Sequence, residues 1–171
     1  MTGRVAILVT TMGVAALLLS TIVVEPAARY IWNASESVPI GLYRLRPIGN
    51  LTASTLVAVQ PPEPLAMFLE SRRYLPRGIP LLKQVSALPG QTVCREGLAI
   101  TVDQRLVGEA RLSDSRGRPL PVWQGCHVLA EDEVFLMNSQ SAGSLDGRYF
   151  GVLPSSAITR TAEPLWIGGE P

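Results

Sequence analysis

Lys83 is the only lysine in a chain that carries fourteen arginines. A guanidinium keeps its proton at any ordinary pH, whereas burial can drive an amine to its neutral form. Lys83 lies in PLLKQVSAL, a run apolar enough to form a buried strand. Bringing a lysine from about 10.4 to near 7 costs roughly 4–5 kcal/mol, which desolvation in an apolar site can supply. A neutral amine is a general base. The plainer alternative is a surface lysine left over in an arginine-rich composition.

A base needs a group to deprotonate, and SESVP, residues 35–39, offers Ser35 and Ser37. Pro39 and Gly41 would hold the backbone there in a fixed open turn, leaving a serine exposed and rigid. A serine hydroxyl is a weak nucleophile until a base takes its proton, and the lone lysine is the natural candidate. The alternative is a polar linker. A third segment, NSQSAGSLDGRYFG over residues 138–151, reads as a polar turn leading into an aromatic strand. Asp146 and Arg148, two apart on that strand, would face the same way and brace the backbone near a site. The alternative is a hairpin loop with a surface ion pair worth at most about 1 kcal/mol.

The elements that must position these residues are mostly β. Apolar alternations and short apolar runs, bounded by Pro or Gly, predict strands at Leu42–Leu45, Thr55–Val59, Pro80–Leu88, Leu98–Val102, Leu120–Trp123, Val128–Leu129 and Glu133–Met137. One short helix is expected over Pro64–Tyr74, where Pro64 suits a first helical position and Leu65, Met67, Phe68 and Leu69 share a stripe. Ser113–Pro119 reads as a polar loop or flap. No internal repeat is visible.

The 171 residues suffice for one domain with its own core plus an appendage. A net charge of +1 argues against a chain built to hold nucleic acid. Hydrophobic content of 47% is high, which directs attention to residues 5–24, VAILVTTMGVAALLLSTIVV. That uncharged run is long enough to cross a hydrocarbon core of about 30 Å as a helix. The expected organisation is a cytoplasmic N-terminus over 1–4, a transmembrane helix over 5–24 and an exported domain over 25–171. A cleaved secretory signal is the competing reading, although its apolar region is usually shorter, about 7–15 residues. Arg4 favours an N-in orientation, and Arg29 weakens that asymmetry.

Export would place Cys94 and Cys126 where thiols are oxidised, so they are expected to pair, with two inert buried thiols as the alternative. Neither has a second Cys at ligand spacing, and His127 is the only histidine, so no metal site is expected. A catalytic pair of Cys126 and His127 is disfavoured, because neighbours on a strand point to opposite faces.

Three segments together resemble type I signal peptidases, and within them the conjugative-transfer, TraF-type peptidases. SESVPIGLYRL is similar to their nucleophile box, LLKQVSALPGQTV to the lysine-strand box ending in Leu-Pro-Gly, and SLDGRYFGVLP to the box ending in Asp-x-Arg-Tyr-Phe-Gly. The resemblance implies a signal-peptidase-type, mainly β catalytic domain on one N-terminal transmembrane helix, without metal or organic cofactor. It implies Ser37 as nucleophile and Lys83 as general base. It also implies Ser35 as an oxyanion donor beside the Ser37 N–H, Ser144 orienting the lysine, Asp146 with Arg148 as a supporting ion pair, and Cys94 with Cys126 as the branch's cysteine pair.

Several positions depart from the general pattern. Val38 stands where methionine is usual, Pro39 follows the serine after one residue instead of two, Gly147 separates Asp146 from Arg148, and NSQSAG replaces Gly-Asp-Asn-x-x-Asp. The shifted proline leaves a choice between Ser35 and Ser37, which the branch's Ser-x-Pro-x-Gly-x-Tyr pattern resolves for Ser37. Ser37 lies only 13 positions after Val24, so the nucleophile would sit within roughly 45 Å of the bilayer. The implied substrate is a membrane-inserted precursor cut in the periplasm at the inner-membrane surface. In the conjugative branch that precursor is a prepilin of the transfer apparatus, in some members also closed into a ring. The rivals are a housekeeping signal peptidase and a non-catalytic subunit of a transfer channel. A self-cleaving repressor is opposed by the membrane span and the lack of a DNA-binding module.

Overall fold

The computed structural model describes residues 2–23 and 28–168. The chain begins with α1, Thr2–Val23, and continues into a mainly β domain. Its larger sheet has seven strands in the order β1-β2-β11-β3-β4-β9-β10, and a smaller one has four in the order β7-β6-β5-β8. The larger sheet comprises β1 (Tyr30–Asn33), β2 (Gly41–Arg46), β3 (Leu56–Val59), β4 (Leu81–Ala87), β9 (Glu133–Leu136), β10 (Leu153–Pro154) and β11 (Ile158–Ile167). The smaller comprises β5 (Thr92–Glu96), β6 (Ala99–Val102), β7 (Arg105–Glu109) and β8 (Gly125–Val128). Every strand pairing is antiparallel.

Alternation dictates which side chains make the core. Val57 and Val59 of β3, Val85 of β4 and Val134 and Leu136 of β9 pack into one cluster. Ala87, Phe135 and Met137 meet Val93, Ile100 and Val102 of the smaller sheet in a second, which joins the two sheets. A third forms under β2 around Tyr43, Leu82 and Ala162. Gly41 is dictated by closeness: a Cβ there would lie 2.2 Å from the carbonyl oxygen of Trp166 on β11.

The expected short helix is α2, Glu63–Ser71, with proline in its first turn and Leu69 buried. The strands expected around residues 42–45, 55–59, 80–88, 98–102 and 133–137 are all present. The strand expected over Leu120–Trp123 is absent. Pro119 and Pro121 have no N–H to give a ladder, and the segment makes an isolated bridge, Ser113 with Pro119, and one Leu120 N–H bond to the Leu112 carbonyl before β8. The aromatic strand expected after residue 145 is also absent, because Gly147–Phe150 forms a helical turn, α3, capped by Asp146.

The described side chains of α1 from Val5 to Leu17 are exposed and mostly apolar. Among the described residues no helix is long and apolar enough to cross a membrane. The expected crossing over residues 5–24 runs past Leu17, beyond which side chains are not described, to Val24, which lies outside the described residues, as does the cleavage region around Pro26 and Ala27.

Candidate active site

Lys83 sits in the middle of β4 and is 4% exposed. On one side β4 pairs with β3, where Val57 is the Cα partner of Lys83. On the other side β9 ends at Leu136, and a side chain continues the ladder. The Asn138 amide donates to the Leu82 carbonyl at 3.0 Å, and its oxygen accepts from the Gln84 N–H at 3.0 Å. The Met137 N–H donates to the Gln84 carbonyl at 2.9 Å. Lys83 is thus gripped immediately before and after its own position.

Among the described residues its amine has one hydrogen-bond partner, the Ser144 hydroxyl at 2.7 Å. Burial is the main influence on its charge and pushes its pKa down to about 8; the Asp146 carboxylate opposes this and the Arg148 guanidinium adds to it.

Ser144 is held through its backbone. Its carbonyl accepts from Arg148 Nη2 at 3.2 Å, and the same nitrogen donates to the Ser141 carbonyl at 2.7 Å. Arg148 meets Asp146 through Nε at 2.9 Å and Nη2 at 2.8 Å, and Asp146 also accepts from the Asn138 N–H at 3.1 Å. The pair is fully enclosed, with side chains 2% and 0% exposed, so the reading of a surface ion pair is set aside. The contact arises because Asp146 caps α3 and Arg148 folds back over it, not from strand alternation. Gly147 between them is required: a Cβ would lie 2.5 Å from the Phe135 ring and 2.8 Å from the Leu136 carbonyl oxygen.

The serine turn is organised by a residue that sequence reasoning passed over. Asn33, buried at the end of β1, donates through Nδ2 to the carbonyls of Ser35 at 2.7 Å, Val38 at 2.9 Å and Pro39 at 3.1 Å. The Tyr43 hydroxyl donates to the Pro39 carbonyl at 2.6 Å. The open turn expected from Pro39 and Gly41 is therefore held from within by an asparagine. Ser35 Oγ donates to Asn33 Oδ1 at 2.9 Å and lies 2.9 Å from Ser37 Oγ. Because Asn33 Oδ1 can only accept, the Ser35 proton is committed there and Ser37 is the donor to Ser35.

Ser35, Ser37, Lys83 and Ser144 all line one cavity of about 500 Å³, and Leu69, Tyr74 and Leu75 are also in its wall. Among the described residues no hydrogen bond joins Ser37 to Lys83. The cavity wall is itself braced. The Tyr74 hydroxyl donates to Asp114 at 2.5 Å, Arg118 donates to the same carboxylate at 2.7 Å, and the Arg118 guanidinium stacks 4.6 Å from the Tyr74 ring centre. The polar loop Ser113–Pro119 is thereby pinned to the end of α2.

Two further placements complete the set. Cys94 and Cys126 are disulfide-bonded, cross-strand partners on β5 and β8. His127 lies 2.5 Å from Glu133 and lines none of this cavity. Sequence reasoning also missed Arg95. It is 1% exposed and donates to the Arg148 carbonyl at 2.6 Å. Asn33 and Arg95 lie in no motif that residue type alone would flag, and Asn138 opens the third segment without its residue type indicating its role.

The family described as signal peptidase, peptidase S26, matches residues 2–166. A conjugal transfer protein TraF of Agrobacterium fabrum is 36% identical over 91% of this chain and 93% of its own. A plasmid transfer protein TraF of Escherichia coli is 32% identical over 95% of both chains. A solved signal peptidase I of Enterococcus faecalis aligns at 17% identity with a TM-score of 0.39, over 67% of this chain and 97% of that one, a likeness too slight to argue from. With the family match running from α1 through β11, the chain belongs to the signal peptidase family, peptidase S26.

Proposed function

We propose that the protein is a membrane-anchored serine endopeptidase in which Ser37 attacks and Lys83 is the general base. The observation that carries this reading is the shared cavity: a serine on a rigid turn and a buried amine with its pKa lowered to about 8 open onto the same space. In the proposed reaction the Ser37 hydroxyl passes its proton to neutral Lys83 as its oxygen bonds the scissile carbonyl carbon. The oxyanion is met by the Ser37 N–H, with Ser35 as a second donor once its hydroxyl turns from Asn33. Lys83 then protonates the leaving amine. It next takes a proton from the water that hydrolyses the acyl-enzyme. Ser144 aims the amine, and Asp146 with Arg148 holds the loop that carries Ser144.

The proposed organisation has residues 1–4 in the cytoplasm, an inner-membrane helix over 5–24 and a periplasmic peptidase domain over 25–171. α1 spans 22 residues, about 33 Å at 1.5 Å per residue, and the segment 5–24 carries no charge. The relatives are named for conjugal and plasmid transfer, which supports a precursor of the transfer apparatus, a prepilin, as substrate, with ring closure of the product as an extension.

The test is mass spectrometry of a candidate prepilin co-expressed with wild type, Ser37→Ala and Lys83→Ala. Shortening by wild type alone supports the dyad, and a further loss of one water from the trimmed product marks cyclisation. An intact precursor in all three, with normal transfer by Ser37→Ala, replaces this reading with a structural subunit of the transfer channel.

A further inference from the structure

The outer face of the larger sheet carries a second concavity, far along β2 from the serine turn. It measures about 400 Å³ and is lined by Arg29, Arg44, Arg46 and Arg160, with no acidic residue in its lining. Strand register explains why two of the arginines, Arg44 and Arg46, share this face. Arg44 is the cross-strand partner of Tyr30 on β1 and of Glu163 on β11, and Arg46 is the partner of Thr161. Cross-strand partners share a face. Tyr43 and Ala162, which alternate with them, are buried in the core, so Arg44 and Arg46 point outward. Arg46 is engaged by Glu163 at 2.6 Å. Among the described residues no side-chain hydrogen bond or ion pair engages Arg29, Arg44 or Arg160. A chain of net charge +1 thus concentrates four of its fourteen arginines around one hollow, three of them in no ion pair among the described residues.

Arg29 lies six positions after Val23, the last residue of α1, so the hollow's rim lies within about 21 Å of the end of α1 whatever path the chain takes. If α1 is the membrane anchor, as proposed above, an anionic headgroup is the anion nearest to hand. Guanidinium forks suit phosphate oxygens. The geometry points to a binding site for the phosphate of an anionic phospholipid in the cavity between β2 and the start of β1, with Arg29, Arg44 and Arg160 as its ligands. Occupation of this site would fix the sheet's tilt on the bilayer and with it the height at which the serine cavity meets an emerging precursor.

The test uses the full chain in nanodiscs holding equal amounts of phosphatidylglycerol and phosphatidylcholine, with retained lipid identified by native mass spectrometry. Wild type is expected to retain phosphatidylglycerol preferentially. Each arginine changes partition to an anionic surface about fivefold, so Arg44→Gln with Arg160→Gln should lower that preference about thirtyfold. Arg105→Gln with Arg116→Gln, which removes the same charge elsewhere, should leave it intact. Equal retention of both lipids by wild type or equal loss in both double variants would each overturn the site. Alkaline extraction reports separately on the anchor. Release of the chain refutes the anchor, whereas retention without lipid preference refutes the site alone.

Discussion

The amine of Lys83 lies 2.7 Å from the hydroxyl of Ser144 and, among the described residues, makes no other hydrogen bond. With a single donor–acceptor partner and no carboxylate in contact, the amine is stabilised in its neutral form by burial, against the pull of Asp146. Because the chain has one lysine, selective lysine labelling gives one side-chain signal in an NMR titration. That signal is expected to titrate near pH 8, and hydrolysis should rise with pH through the same value. Lys83→Arg, which cannot shed its proton, should lower the rate by about 10²–10⁴-fold. Titration of the lysine near 10.5 would defeat the assignment of Lys83 as base.

Ser144 has no route to the substrate carbonyl in the proposed reaction, so its contribution is orientation. Ser144→Ala deletes a hydrogen bond to an amine, worth roughly 1.5–3 kcal/mol. The expected result is a fall in kcat of about ten- to a hundredfold with KM nearly unchanged. Ser144→Thr retains the hydroxyl and should recover part of the rate. A KM effect without a kcat effect would move Ser144 from positioning the base to binding substrate.

Asp146 and Arg148 form a buried pair whose outer hydrogen bonds are backbone groups of the Ser144 loop. Removing one partner strands the other charge, at a cost of about 3–5 kcal/mol. Asp146→Ala and Arg148→Ala should each lower unfolding stability by that amount. Asp146→Leu with Arg148→Met should cost well under the sum of the single changes. Additive losses measured in urea would mean that the two charges act independently.

Much of this was legible in the sequence where one physical signal governs. The apolar run around Lys83 reads as a buried strand and is one, and the apolar stripe after Pro64 becomes α2. The central strand β11 was not legible. Arg160, Glu163 and Pro164 break its alternation, and a register shift between Pro164 and Trp166 absorbs the irregularity. The turn after Leu145 reads as strand from its aromatics, but a local cap, Asp146 accepting from the Arg148 N–H, takes precedence over strand propensity. Asn33 and Asn138 stayed hidden because a lone asparagine signals nothing by type. Only the fold reveals that each amide completes a backbone pattern, one in the serine turn and one beside Lys83.

The Cys94–Cys126 disulfide lies on the smaller sheet, and neither cysteine lines the cavity. Its effect should therefore fall on stability. Closing a loop with a sequence separation of 32 restricts the unfolded chain by about 3–4 kcal/mol on the chain-entropy view. Cys94→Ser with Cys126→Ser should lower the midpoint of denaturation while leaving the Lys83 titration unmoved. A shift of that titration would reveal that the smaller sheet helps to set the site.

Lys83 also makes the fold's stability depend on pH, and the sign follows from its lowered pKa. Below about pH 8 the lysine is charged in both folded and unfolded chains, and the folded state bears the full desolvation penalty. Between about 8 and its ordinary value of 10.5 the unfolded chain holds a proton that the folded one has lost, so folding gains stability as pH rises. The whole interval corresponds to about 3 kcal/mol. Lys83→Met removes the penalty at every pH. The stability difference between Lys83→Met and wild type should therefore be largest at pH 7 and shrink toward pH 10.5, as read from paired urea melts. A difference that stays flat across that range would mean that the lysine is not desolvated in the folded protein, and the proposed base would lose its physical ground.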